Sequence, residues 1–234
     1  MWIATAESRI IGTAKAKSDA PSSPSMARPM AYSAFTLAAV AERFNLTLLE
    51  DQDLFPDAPE REPSPLLSQI LGEWAPLALA MNTEKGKSEL IIAPILMETR
   101  RHSLDAANAH PISVFSGVEF NVDPALGLNG ACDFLICRSP ERYFVKAPVV
   151  AIVESKKDDF VGGLGQCLAA VVAARIFNER EGVDFNAIHG AVTTGELWRF
   201  VRLRETTAWI DVRSYHLREL PRILGILATL AGIS

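Results

Sequence analysis

Apolar residues recur along the chain with two different periods, and each period predicts one kind of element. Spacings of three to four residues predict helices over residues 33–46, 65–81, 88–102, 166–177 and 217–230. Apolar runs and alternating patterns predict strands over residues 112–122, 131–137, 149–156, 187–193, 197–203 and 207–212. Helices and strands therefore follow one another through the second half of the chain, which predicts an α/β fold with a mixed sheet flanked by helices.

The predicted elements divide the chain into three parts. Residues 1–30 are rich in Ser, Pro and Ala and carry scattered charges, which predicts a disordered leader and matches a secretory signal poorly. Residues 31–82 contain two helices joined by an acidic, proline-broken loop, and we interpret them as an N-terminal helical segment. Residues 83–234 contain all the predicted strands and form the α/β core.

Two of the predicted helices follow segments that we interpret as a turn and a loop. Residues 82–87 are polar and predict a turn before the helix at 88–102, in which Pro94 predicts a kink. The glycine-rich residues 162–165 predict a loop before the helix at 166–177. The glycine spacing does not match a dinucleotide-binding loop, and no Gly-Lys-Ser/Thr follows, which argues against a nucleotide-binding fold.

Composition narrows the class of protein and of partner. With 234 residues, 49% of them hydrophobic, the chain can bury a core of ordinary size in one domain. The net charge of −5 excludes a global basic field, so a polyanion must be held by a local patch or through metal ions. The three cysteines lie in apolar runs, which indicates reduced thiols in a cytoplasmic protein, and no segment predicts a membrane span.

Two of the predicted strands each carry a single acid. Five apolar residues, Val149–Val153, lead directly into Glu154, Ser155 and Lys156, and alternation places Glu154 and Lys156 on the same side of the strand. A carboxylate that continues a buried strand is unfavourable unless a cation or hydrogen bonds meet it. Asp133 interrupts the preceding apolar strand in the same way. Two such strands are typical of a metal site, and a solvated Glu–Lys pair at a strand end is the alternative.

A third acid lies on the predicted helix at 88–102. Glu98 follows Ile91 and Ile95 at helical spacing, so it shares their apolar face and we expect it to point towards protein. The alternative, held equally, is a Glu98 side chain at the edge of that face that pairs with Arg101 or His102.

These residues, taken in order, resemble a known group of enzymes. A helix with Glu98, a strand with Asp133, a strand that ends in Glu154-Ser155-Lys156 and a helix that opens with Gln166 resemble the PD-(D/E)XK nuclease superfamily. The chain is most similar to small bacterial, restriction-endonuclease-like members of unassigned role. The resemblance covers about residues 88–203.

The resemblance implies both a fold and a function. The fold would be restriction-endonuclease-like, with N-terminal helical additions. The activity would be that of a Mg²⁺-dependent nuclease that hydrolyses phosphodiester bonds in nucleic acid, with DNA favoured over RNA and with Mn²⁺ able to replace Mg²⁺. Lys156 would orient or deprotonate the attacking water, and Glu98 matches the acid that some members use for a second metal contact. The implied catalytic residues are Asp133, Glu154, Lys156, Glu98 and Gln166, and the implied metal ligands are Asp133, Glu154, the Ser155 carbonyl and Glu98.

Two positions depart from the superfamily's pattern. Cys132 precedes Asp133 where the pattern has proline. Exonuclease-like members often carry Gln-x-x-x-Tyr, whereas Ala170 stands four residues after Gln166. The missing tyrosine and the acidic net charge favour a second hypothesis, a catalytically inactive nuclease-fold protein that serves as a binding or assembly subunit. Under either hypothesis we expect a cytoplasmic protein without a membrane partner, and we consider a homodimer as well as a monomer.

Overall fold

Eight strands form one mixed sheet, and helices cover both of its faces. The structure is a computed structural model that describes residues 31–105 and 110–233. The leader predicted for residues 1–30 lies outside the described residues. The α/β class and the mixed sheet flanked by helices, both predicted from the sequence, are confirmed.

The order of the strands in the sheet differs from their order along the chain. They are β1 (Thr47–Leu49), β2 (Ser113–Glu119), β3 (Ala131–Cys137), β4 (Val149–Ser155), β5 (Ile188–Thr193), β6 (Leu197–Arg204), β7 (Thr207–Ile210) and β8 (Tyr215–His216). Their order in the sheet is β1-β7-β6-β5-β4-β3-β2, and β8 pairs with β6. The pairs β4–β5 and β1–β7 are parallel and the other pairs are antiparallel, so β4 and β5 need a crossover connection, which a helix supplies.

Six helices belong to the described residues. They are α1 (Leu37–Arg43), α2 (Pro65–Met81), α3 (Glu84–Lys87), α4 (Ala93–Asp105), α5 (Phe160–Arg180) and α6 (Leu220–Ala231). The crossover helix α5 and the short α1 cover one face of the sheet, and apolar side chains of α2, α4 and α6 cover the other. The sheet therefore has a buried core on each face, which explains the continuous apolar run of β4.

The first described residues fold differently from the single helix predicted over 33–46. A 3₁₀ turn, Tyr32–Ala34, comes first, and α1 begins after Thr36, whose side chain accepts the Ala39 N–H. The chain then forms β1, which pairs in parallel with β7 at the edge of the sheet. A strand of three residues is too short to show a period of its own, so the sequence pattern did not predict it.

The polar segment at 82–87, predicted to be a turn, is instead the start of a helix. Thr83 accepts the Gly86 N–H at 3.1 Å, and α3 begins at Glu84. A π-helical turn, Ser88–Ile92, joins α3 to α4 just before Pro94. Because proline has no N–H to donate and its ring crowds the preceding turn, a widened turn at this point accommodates it within a continuous helical segment.

The glycines at 162–165, predicted to form a loop, lie inside α5. The helix begins at Phe160, and its cap Asp159 accepts the Gly162 N–H at 2.8 Å. A Cβ at Gly165 would lie 2.4 Å from the Phe35 carbonyl oxygen, and a Cβ at Gly163 would lie 2.7 Å from a Val192 methyl group. The glycines are therefore needed where the helix approaches α1 and the sheet most closely, and not for a loop.

Helix α5 also accounts for the most apolar stretch of the chain. Among the described residues it is the one helix long and apolar enough, by length and composition, to cross a membrane. In the structure 61% of its most apolar window is buried inside the protein, between the sheet and α1. Core helices have the same composition, so its place in the fold explains its apolar residues.

Candidate active site

The ends of β3 and β4 bring two predicted acids together. The last antiparallel pair of these strands joins Phe134 to Val153, and the next position along each strand is Asp133 on β3 and Glu154 on β4. The Ser155 N–H donates to Asp133 Oδ2 at 2.7 Å. The Asp133 carboxylate thus takes the place of a backbone acceptor where the ladder ends, and this fixes it beside the Glu154 strand.

Glu154 is fully buried and only partly satisfied. Gln166 on α5 donates its Nε2 hydrogen to Glu154 Oε2 at 2.6 Å, and the Lys156 ammonium lies 3.9 Å from the same oxygen. The other oxygen, Oε1, has no hydrogen-bond partner among the described residues. Buried polar atoms are almost always paired, so an unpaired carboxylate oxygen requires an explanation, and a bound cation or a proton shared with the neighbouring Asp133 carboxyl group would each provide one.

Burial is the main influence on the charge of Glu154. It raises the pKa of the carboxyl group well above the usual 4.5, and the negative charge of Asp133 raises it further. The Lys156 ammonium opposes these effects without cancelling them. Burial and, after it, the charge of Glu154 also raise the pKa of the nearby Cys132 and Cys167 thiols, which therefore stay protonated. All three cysteines are buried and free, and the Cys132 and Cys167 thiols are neutral groups near the acid.

A cavity of about 370 Å³ opens beside these residues. Asp133 and Ser155 form one wall, and β2 contributes Ser116 and Gly117. The remaining lining residues come from the start of the α3 helical segment and are Glu84, Lys85, Ser88 and Glu89. The cavity therefore opens Asp133 to solvent, whereas Glu154 lies buried behind this wall.

Glu84 is an acid beside the site that the sequence pattern did not predict. It lines the cavity with Asp133, and its charge makes a small contribution to raising the pKa of Glu154. The segment was interpreted as a turn because Gly86 and three charged residues interrupt its apolar pattern. The available signal was Thr83, a favoured N-cap residue followed at once by an acid, which marks a helix start.

The structure does not bring Glu98 to this cluster. Glu98 is buried, as its apolar neighbours predict, but it accepts the Ser64 N–H at 2.9 Å at the start of α2. It also pairs with Arg101 at 2.5 Å and lies 3.5 Å from His102. Fourteen residues separate it from Glu84, which is about 21 Å along a helix axis. The same helical segment therefore carries Glu98 away from the site and uses it to hold α2.

Lysines are concentrated around the site. Four of the five lysines among the described residues, Lys85, Lys87, Lys156 and Lys157, belong to the two segments that border it. Lys87 is only 3% exposed and donates to the Lys157 carbonyl at 3.5 Å, so it links α3 to the residues that follow β4. The same two segments also carry Glu84, Glu89, Asp158 and Asp159, so the lysines lie among acids and do not form a net positive patch.

The donor atoms fit a magnesium ion. Mg²⁺ prefers oxygen ligands and keeps several waters, so one or two carboxylates suffice to hold it. Asp133 and the unpaired Glu154 Oε1 supply such oxygens. Within residues 31–105 and 110–233, no three acidic, imidazole or thiol groups gather into a larger metal cluster. The carboxylate oxygens therefore match the ligand type that Mg²⁺ prefers, and water or substrate oxygens would have to complete the coordination.

Comparisons of the chain with protein-family models, with curated proteins and with solved structures find no significant match. The chemistry of the site is therefore argued from its geometry.

Proposed function

We propose that the protein is a Mg²⁺-dependent nuclease that hydrolyses phosphodiester bonds in nucleic acid, with a restriction-endonuclease-like fold. One observation carries the proposal: Asp133, Glu154 and Lys156 meet at the ends of two neighbouring strands, and Gln166 of the next helix contacts Glu154. That is the order of parts that the resemblance to PD-(D/E)XK nucleases implies. A solvated Glu–Lys pair explains it less well, because Glu154 is fully buried beside a second acid.

Each polar group of the site has a role in this proposal. Asp133, Glu154 and the Ser155 carbonyl would hold Mg²⁺, or Mn²⁺ in its place. When bound, such an ion polarises a phosphate oxygen and lowers the pKa of a coordinated water. Gln166 donates a hydrogen bond to Oε2 of Glu154, and this leaves Oε1 as the oxygen that would coordinate the metal ion.

Lys156 supplies the positive charge nearest to the acids. Its side chain is 16% exposed and its ammonium lies 3.9 Å from Glu154 Oε2, so it can face both the acid and a phosphate group. An ammonium in this position holds a water or offsets charge on the phosphate. The exposed Lys85 and Lys157 can contact neighbouring phosphates of a DNA strand, where each contact adds salt-sensitive affinity.

Cleavage of labelled substrates tests the proposal. Single-stranded DNA, double-stranded DNA and RNA are incubated with the wild type in Mg²⁺, in Mn²⁺ and in chelator. We expect metal-dependent cleavage that Glu154→Gln or Lys156→Met lowers by about 10²-fold or more, because the first removes a charged metal ligand and the second removes the ammonium that faces the phosphate. Glu98→Gln is the matched control, since it changes an equally buried acid outside the site, and it should retain activity. Cleavage in chelator, or full activity of Glu154→Gln, would refute the proposal.

The second hypothesis, an inactive binding or assembly subunit, has its own support. Glu154 has no exposed surface, and Ala170 offers no side chain that could reach nucleic acid as a tyrosine would. If the wild type binds labelled DNA but cleaves none of the three substrates in either metal, this hypothesis replaces the first.

A further inference from the structure

Helix α2 is apolar on two faces, and only one of them is covered by the protein. Leu67, Leu71, Ala75 and Ala78 face the core and are buried. On the other face Leu66 is 57% exposed, Leu77 54% and Met81 45%. Glu73 is the one charged residue of this helix. Ser68, Gln69 and Glu73 are exposed polar residues of this helix, but beside them the outer side carries large apolar side chains that the described residues leave exposed.

The exposed apolar surface continues onto α4. Met97 is 50% exposed and Leu104 is 52% exposed. Between the two helices lies a groove of about 510 Å³ with mostly apolar walls. Of the eleven large apolar side chains that are exposed among the described residues, six lie on α2 and α4. Exposed apolar residues scattered singly are ordinary, but a group of this kind marks an interaction surface.

The groove carries opposite charges at its two ends. Glu89 lines it near the start of the helical segment, and Arg100 lines it eleven residues later, about 16 Å along the axis. The Arg100 guanidinium makes no hydrogen bond or ion pair with the residues that the structure describes. Glu89 contacts Lys85 at 2.7 Å in a pair whose two side chains are 59% and 83% exposed, and such a pair exchanges easily.

We propose that a second copy of the chain covers this surface. Two copies related by a twofold axis near Pro94 would pack α4 against α4 in antiparallel directions and place Glu89 of each copy opposite Arg100 of the other. The outer faces of α2, each about 25 Å long, would extend the contact. An isologous contact of this kind closes after two subunits. The interface does not depend on whether the protein is a nuclease.

Sedimentation velocity of the full chain over a range of concentrations tests the interface. We expect a monomer–dimer equilibrium, and we expect Leu66→Glu to weaken it at least tenfold, because Leu66 is 57% exposed and lines the groove, so a charge is placed in the apolar contact. Val212→Glu is the matched control, since Val212 is 57% exposed and lies outside the groove. Circular dichroism shows whether each variant is folded. A wild type that stays monomeric at every concentration overturns the proposal, as does equal weakening by both variants.

A charge exchange tests the antiparallel arrangement and the identity of the occupant. Glu89→Arg and Arg100→Glu should each weaken the dimer several-fold, because each places like charges opposite one another. The double variant, Glu89→Arg with Arg100→Glu, should restore the association, since the opposite charges meet again. Restoration is expected only if both residues of a pair belong to copies of this chain. If the double variant dimerises no more tightly than the single variants, the proposed contact is overturned.

Discussion

Glu154 is a carboxyl group that the fold buries completely while leaving one of its oxygens unpaired among the described residues. Burial and the charge of Asp133 raise its pKa, so without a cation the native state binds a proton here that the unfolded state has already released. A folded-state pKa above the unfolded value means that the ionised form opposes folding. In the absence of metal, stability should therefore fall as the pH rises from about 4.5 through the raised pKa.

Replacing Glu154 by Gln isolates this effect. We expect the free energy of unfolding of the wild type, measured by urea in chelator, to fall relative to the variant by up to about 1.4 kcal/mol per pH unit across that window. His189 also titrates, since burial lowers its pKa to about 4, but it does so equally in both proteins and has the opposite slope. Parallel curves for the two proteins between about pH 5 and pH 8 would show that Glu154 is ionised without penalty.

The site acids differ in how far the sequence could predict them. Asp133 and Glu154 can be recognised in the sequence because each interrupts an apolar strand. Strands that follow one another in the sequence usually pair in the sheet, so the two acids could be predicted to lie close together. Helical periodicity predicts that Glu98 is buried but does not say which element buries it, and the structure places Ser64 there. Glu84 lies in a segment whose pattern is too polar and too short to predict the side it faces.

Helix α5 illustrates how tertiary contact overrides local preference. Three glycines in four residues predict a loop, yet the helix runs through them. Gly163 and Gly165 lie where the Lys156 and Val192 side chains and the backbone of residues 35–37 leave no room for a Cβ, which explains why glycine stands at these two helical positions. Close approach of two elements leaves no periodic signal in either sequence. The helix therefore begins at Phe160, before the predicted start at Gln166. Gln166 lies in the second turn of the helix and not in the first.

A pair of alanine substitutions measures this effect. Gly165→Ala should destabilise the protein by about 1–3 kcal/mol, because the new methyl group meets the Phe35 backbone and cannot be accommodated by a side-chain movement. Gly72→Ala on α2 is the matched control: nothing lies within 4 Å of its Cβ position, so it should stabilise by about 0.5–1 kcal/mol. Urea unfolding of both variants gives the two values. Stabilisation by Gly165→Ala would contradict the described contact between α5 and α1.

The molecule as a whole combines an acidic net charge with one local group of lysines and one large apolar surface. The lysines border the two acids, and the apolar surface lies on the helices that cover the opposite face of the sheet from α5. Glu89 lines both the site cavity and the apolar groove, so dimerisation would place a guanidinium near the opening of the site. Neither the position of the lysines nor that of the apolar surface could be predicted from composition, because both depend on how the helices pack against the sheet.

The central claim is that Asp133 and Glu154 form a cation site and not a structural ion pair with Lys156. A cation that binds only the folded state raises its stability by mass action. Thermal melts therefore test the claim in the wild type, in Asp133→Asn and in Glu98→Gln, each with millimolar Mg²⁺ or Mn²⁺ and with chelator. Asp133→Asn keeps an oxygen for the Ser155 N–H while removing one charge of the site.

At a metal concentration about 100 times the dissociation constant, the midpoint of the wild type should rise by about 5–10 °C. Asp133→Asn should lose this increment and be at least as stable as the wild type in chelator, because the repulsion with Glu154 is gone. Glu98→Gln should melt lower in both conditions, since it weakens buried contacts with Ser64 and Arg101, and should still keep the increment. Equal wild-type midpoints with metal and with chelator would contradict the cation site and the nuclease proposed from it.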